Sequence, residues 1–511
     1  MISRTNYNKL TILFILGIIL ALLSGIFSIL LSKLSIINLI LILILIVAII
    51  SSLIIIITKK QRKLEGYIFY LLIFVSTFAA NYPLTENNFS VPHQGISPIP
   101  ELWVSYVPLV SLVFLFLAKV LLVGNIKIRH SPIVTIFSIL ILWQLLGSLG
   151  AKYPALTIWQ IIKLSLPGLL ALIITLNLLS NIQDLKNSLH VFLAVGLLHS
   201  LYGIAQWFNG GVFGLSYLGE LSRTNATSMI LESKGISKGL VSGFNFGPYI
   251  SGFMGKYCLV GLLLLLLPVS LLLVLSKEKF ASRFFAGTFF VFGLITSFLI
   301  FSKSGWGAVV GAITLSIIIA FLRKDLFSRR RISALFIIFL VLGGVGIAIF
   351  WPVIYGRIFR TNLVESFTRR VDLLRFAFGS FIENPIIGVG GNNLAALFPG
   401  VAGGAPPGTP VHNIFVLYLA ELGLPGFMLF SSIVFYVSFI GYHSVRKNTG
   451  FPGLISIGAL AGLMGFFAHG VFSWVYNRPQ LFIPFWIFVG LFVRSFQIGK
   501  DKLARNYSVS K

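Results

Sequence analysis

His412 stands in "GTPVHNIFVLYLAELGLPGF", residues 408–427, where a glycine- and proline-rich run gives way to a long apolar segment. An imidazole with an ordinary pKa near 6.5 accepts a proton at neutral pH, so this histidine can act as general base toward an incoming hydroxyl. It can also mark no more than the point where the chain enters a membrane. Lys303, in "FSKSGWGAVVG", poses a parallel choice. A cation between apolar segments either meets an anionic group or snorkels to the interface. Further cations sit in two runs without a long apolar stretch: Arg223, Lys234 and Lys238 in 209–248, and Arg369, Arg370 and Arg375 in 353–411. They can bind phosphate, or simply be solvated and paired with lipid headgroups. The other histidines have plainer accounts. His190, His199 and His469 lie in or at the ends of apolar stretches, where a hydrogen bond between helices explains them. A serine-nucleophile elbow, a Cys/His pair, a zinc motif and a Walker loop are all missing. The lone cysteine, Cys258, excludes an intramolecular disulfide and any cysteine-based metal site.

What must position these residues is a membrane bundle. The 511 residues are 57% hydrophobic and only 10% charged, with a mean hydropathy of +0.97. No soluble fold of this size hides that much apolar surface, so lipid is the solvent for most of the chain. The net charge of +26 does not point to nucleic acid, because the basic residues fall between apolar runs rather than on one soluble face. The first apolar run follows "MISRTNYNKL" without an A-x-A-like cleavage site, which predicts a first membrane helix rather than a removed signal peptide. Runs long enough to cross a hydrocarbon core of about 30 Å number roughly 12 to 14, the first three over 11–31, 35–57 and 67–82. The expected class is an all-α integral membrane protein with two long extracytoplasmic loops.

Orientation follows from the short basic loops "TKKQRK" (58–63), "KIR" (127–129), "KEKFASR" (277–283), "RKDLFSRRR" (323–331) and "VRK" (445–447), which the positive-inside rule assigns to the cytoplasm. Both termini are then cytoplasmic. The organisation reads as N-terminal transmembrane helices over 1–208, a first exterior loop over 209–248, and transmembrane helices over 249–352. A second exterior loop follows over 353–411, then C-terminal helices over 412–497 and a basic tail over 498–511. In the second loop Val364, Phe367, Val371, Leu374 and Phe378 recur at the spacing of an amphipathic helix, which Asn384-Pro385 ends. Such a helix would lie at the outer interface with Arg369, Arg370 and Arg375 at headgroup depth. The "GVGGNN" that follows can place backbone amides around a phosphate or close a glycine-rich hairpin; it lacks the strand a dinucleotide fingerprint needs.

Three stretches, "FSKSGWGAVVGA" (301–312), "FTRRVDLLRFAFGSFIENPIIGVGGNNL" (367–394) and "VHNIFVLYLAELGLPGFMLF" (411–430), resemble in order and spacing the shared region of the O-antigen ligase and Wzy-type polymerase superfamily. The resemblance covers roughly residues 200 to 430. It implies a GT-C-type glycosyltransferase that takes a glycan from undecaprenyl diphosphate at the outer face of the bacterial cytoplasmic membrane and passes it to an acceptor. Inversion is implied, with neither metal nor other cofactor. His412 matches the loop histidine that activates the acceptor hydroxyl. Lys303 stands where the family has arginine, which keeps a positive charge but loses the bidentate fork. Arg223 best matches an arginine of the earlier loop, with Lys234 and Lys238 as rivals. Arg369 and Arg370 are expected at the diphosphate, Arg375 and Asn413 as further substrate contacts, and Glu421 in a structural role. The implied partners are the lipid-linked glycan donor, a glycan or lipid acceptor and membrane lipids, with no nucleic acid. A ligase-like activity is the leading reading, with a polymerase as alternative. A transporter or flippase of lipid-linked sugars is the reading from another class; it would carry charges within spans and repeated halves.

Overall fold

A computed structural model describes residues 61–83, 101–123, 128–220, 250–323, 325–327, 330–334, 337, 344, 348, 351, 355, 363–402, 405–473 and 478–509. The architecture is helical. Its elements are α1 (Gln61–Val75), the short strands β1 (Asn81–Pro83) and β2 (Glu101–Trp103), α2 (Tyr106–Val123) and α3 (Pro132–Gly147). Then come α4 (Pro154–Leu178), α5 (Ile182–Phe208), α6 (Lys256–Leu275), α7 (Phe280–Leu299) and α8 (Lys303–Leu322). After these follow α9 (Leu363–Glu383), α10 (Leu394–Leu397), α11 (Ile414–Lys447), α12 (Gly450–Gly470) and α13 (Pro479–Val509). Among the described residues eight helices, α4 to α8 and α11 to α13, are long and apolar enough to cross a bilayer. The chain is an all-α integral membrane protein. The spans expected over 11–31 and 35–57 lie outside the described residues, as do Arg223, Lys234 and Lys238.

The bundle is built around α6, a leucine-rich helix that is apolar on every side and therefore buried on every side. It packs against α12, α7, α8, α13 and α5. Helices α7, α8 and α11 turn much of their surface outward, and that surface carries Phe284, Leu322 and Phe435. Exposed bulky side chains of this kind are what a lipid-facing shell requires. Helix starts follow local rules. Asn181 caps α5 by accepting from the Asp184 amide, and the Asp184 carboxylate accepts from the Asn181 amide in return. Ser302 caps α8 through the Gly305 amide, and Asn413 caps α11 through Phe415 and Val416.

The sequence places a span over 67–82, but the helix there ends at Val75 and the chain turns into β1, paired antiparallel with β2. The turn is fixed by contacts no local pattern reports: the Ala79 amide donates to the Phe253 carbonyl, and the Thr77 hydroxyl meets His199 Nε2 at 2.9 Å. The helix expected before Asn384-Pro385 is present as α9 and ends at Glu383, as the proline demands. Leu373 and Ala377 are buried, whereas Phe367 and Phe378 are 70% and 45% exposed. At a bilayer the bulky residues can face lipid while smaller ones allow close helix contact, so the most apolar stripe is not the packed one.

Candidate active site

The two motif stretches after residue 380 are parts of one structural joint. Helix α11 is broken at Gly423, whose backbone is in the left-handed region, two residues before Pro425. The freed groups are taken up by the turn after α9. Val389 and Gly390 donate their amides to the carbonyls of Ala420 and Glu421 at 3.0 and 2.9 Å, and Leu424 donates to Pro385 at 2.8 Å. The Glu421 carboxylate accepts from the backbone amides of Asn392 and Leu394, which gives it the structural role expected of it. On its other side the turn is tied to α4: Asn393 accepts from the Tyr153 amide at 2.9 Å, and Thr157 donates to the Gly391 carbonyl at 2.8 Å. The amides of "GVGGNN" thus hold the break in α11 instead of ringing a phosphate.

This joint carries its own small core, in which Leu373 and Ala377 of α9, Val389, Phe398, Val411 and Leu417 of α11 pack together. His412 sits at its edge, half-buried, one residue before the cap of α11. Its Nδ1 donates to the Pro410 carbonyl at 3.0 Å, which leaves Nε2 as the unprotonated nitrogen. Burial, reinforced by the charge of Arg370, pulls the His412 pKa down to about 4 against the upward pull of the Pro410 carbonyl. The ring is therefore neutral at physiological pH, with Nε2 ready to accept a proton.

Arg370 projects from the packed side of α9, and its charge acts on two imidazoles, His412 and His469. Arg369 and Arg375 are exposed on α9. Of the three arginines expected at the site, Arg370 is the one brought to the histidines. Lys303 is the first residue of α8. The backbone of the next residue, Ser304, acts on the His469 ring at the end of α12. Ile414, at the start of α11, abuts Gly470. The starts of α8 and α11 and the end of α12 therefore meet at one end of the bundle, and α9 packs on α11 there. The Asn413 side-chain oxygen is taken up by the helix cap.

Two features escaped the sequence reading. His469 is 1% exposed at the end of α12, and the backbone of Ser304 on α8 acts on its ring. His190 and His199 make the expected inter-element hydrogen bonds, to Ser282 and Thr77. Lys163 lies inside α4, in a π-helical turn (Ile161–Ser165), fully buried and 3.4 Å from the Glu101 carboxylate. Arg478 also acts electrostatically on Glu101. A signal existed in each case, a histidine and a lysine within apolar stretches, but the pairing depends on tertiary contacts.

Residues 288–431 match a family model described as O-antigen ligase. No curated protein matches the chain. The matched stretch contains Lys303, Arg370, the joint and His412, and it ends where the resemblance in sequence ends. It begins later, so the loop with Arg223, Lys234 and Lys238 falls before it.

Proposed function

From the match of residues 288–431 to the O-antigen ligase family model, we propose a role in surface polysaccharide biosynthesis and a specific reaction within it. The protein transfers a glycan from undecaprenyl diphosphate to an acceptor hydroxyl at the outer face of the cytoplasmic membrane, with inversion and without a metal. The observation that carries this reading is the state of His412: Nδ1 is held by Pro410, Nε2 is free of a proton, and the charge of Arg370 acts on the ring. Nε2 takes the proton of the acceptor hydroxyl as its oxygen attacks the anomeric carbon. The bond from that carbon to the diphosphate oxygen breaks on the opposite side, which inverts the centre. The electron pair leaves with the polyprenyl diphosphate. Lys303 and Arg370 stabilise the charge that develops there, an effect strengthened where water is scarce.

This reading puts both termini in the cytoplasm and the loops 209–248 and 353–411 outside. Arg223 and its rivals Lys234 and Lys238 are proposed as further diphosphate contacts. The test is purified protein given a polyprenyl diphosphate oligosaccharide and an acceptor. Release of free polyprenyl diphosphate together with a glycosylated acceptor supports the proposal. Translocation of the intact lipid without release would replace it with the flippase reading. Ligation onto a lipid acceptor and extension of another lipid-linked repeat are separated by which acceptor gains the glycan; we favour the ligase-like outcome because the match continues through the break in α11.

A further inference from the structure

Helix α4 begins at the joint, where Tyr153 and Thr157 bond to Asn393 and Gly391, and it ends 25 residues on at Leu178. At about 1.5 Å per residue it outruns a hydrocarbon core of about 30 Å, so its two ends lie at opposite faces of a bilayer. Beside its far end is a cavity of about 190 Å³, lined by Glu65 of α1, by Leu112, Leu115, Phe116 and Lys119 of α2, and by Arg129. Lys119 lies 3.4 Å from the Glu65 carboxylate, whose side chain is 5% exposed. Arg129 is held by neutral groups: its Nη1 donates to the Asn177 carbonyl at 2.9 Å, and its backbone amide donates to Asn177 Oδ1 at 2.8 Å. Its charge reaches Arg494 of α13, whose Nε donates to the Leu179 carbonyl at 2.6 Å.

Arginines that take up the last carbonyls of a helix are an ordinary C-terminal device, and that accounts for Arg494. It accounts neither for the hollow nor for Lys119 on its α2 wall. The lining sets two cations, Lys119 and Arg129, against one carboxylate, Glu65, so positive charge is in surplus before Arg494 is added. The wall is also graded. From Lys119 the α2 side runs back through Phe116 and Leu115 to Leu112, about 10 Å of helix, from charged at the membrane surface to apolar toward its interior. A water-soluble anion has no use for that apolar depth, whereas an anionic head on a hydrocarbon chain fits both parts. We propose that this cavity seats the phosphate of an anionic phospholipid, with Arg129 and Lys119 donating to its oxygens and the start of an acyl chain against Phe116 and Leu112. Asn177 fixes the Arg129 backbone, so the guanidinium presents its remaining donors to the phosphate in a set direction. In the orientation read from the basic loops this is the cytoplasmic leaflet, whose anionic lipids are drawn to basic sites. The proposal is independent of the transferase reading, because His412, Arg370 and Lys303 lie at the other end of the bundle.

The test uses the full chain in phosphatidylcholine nanodiscs that contain phosphatidylglycerol with a photoreactive group at the start of one acyl chain. Cross-links are expected on α2 within 112–119. Arg129→Gln and Lys119→Gln are each expected to weaken labelling about fivefold, the worth of one basic residue at a membrane surface. Lys119→Gln keeps the test decisive where Arg129→Gln fails to fold. Glu65→Gln is expected to strengthen labelling, because it releases Lys119 to the phosphate; Lys119 is 35% exposed and is not stranded by the change. A merely structural Glu65 would give a loss instead. Equal labelling by a phosphatidylcholine probe would reduce the cavity to ordinary lipid contact, and displacement of phosphatidylglycerol by inorganic phosphate would make it a site for water-soluble anions. Weaker labelling of Glu65→Gln would make the bound head zwitterionic or the carboxylate structural. Each of these three results overturns the proposal.

Discussion

Gly388 and Gly423 are seated against one another: a Cβ on Gly388 would lie 2.6 Å from the Gly423 amide nitrogen, and one on Gly423 would overlap the Ile386 carbonyl. Both have positive φ, +73° and +66°. A side chain at either place therefore meets a steric wall and a backbone cost of about 1–2 kcal/mol at once. Gly388→Ala and Gly423→Ala are each expected to lower the unfolding temperature in detergent and to reduce transfer. Their double variant should cost less than the sum, because the first substitution has already opened the joint. Additive losses would show that the two positions act independently.

His412→Ala is expected to lower kcat by about 10²–10⁴, the usual range for loss of a general base, with unchanged expression and donor binding. An active His412→Ala enzyme would remove the base assignment.

The pH dependence has a definite sign. In the free protein burial and the Arg370 charge hold the His412 pKa at about 4. A bound diphosphate offsets the Arg370 charge, so the pKa rises in the complex and the acid limb of kcat moves to higher pH than that of kcat/KM for the donor. Arg370→Ala removes the same repulsion and should raise the acid limb of kcat/KM. Coincident limbs in the wild type would mean that the donor does not meet Arg370.

The cations of the site should separate by position. Arg370→Ala is expected to raise KM for the donor by about tenfold or more, and the exposed Arg369→Ala by much less. Lys303→Arg should retain activity and Lys303→Ala lose most of it. Equal activity in the two Lys303 variants would reduce that residue to an interfacial snorkel.

Lys163 and Glu101 form a pair whose side chains are 2% and 12% exposed. Removing one partner strands a buried charge, so Glu101→Gln is expected to destabilise the protein by about 3–5 kcal/mol. Lys163→Met combined with Glu101→Gln should restore most of that loss, measured as unfolding temperature. A double variant no better than the single one would show that Lys163 acts through other groups.

Local rules made the helices legible. Their apolar runs and the stop before Pro385 follow from a few neighbouring residues. The break in α11 did not, although its motif was visible. Gly423 and Pro425 can interrupt a helix only because the turn at 385–394 supplies the missing hydrogen bonds, and nothing near 423 announces that partner. The site shows the same division. His412 and Lys303 stood out by type and position. The choice of Arg370 over Arg369 depends on which face of α9 packs, and lipid makes the apolar stripe an unreliable guide to that face.

The small core shared by α9, the 385–394 turn and the upper part of α11 lies apart from the main bundle core. Together with the break at Gly423, it makes residues 363–422 a cassette that carries the proposed base and Arg370 but not Lys303. Acceptor preference can therefore be inherited separately from the lipid carrier. Grafting this cassette between relatives with different acceptors should move the preference with it, while the donor keeps its place in the recipient's bundle.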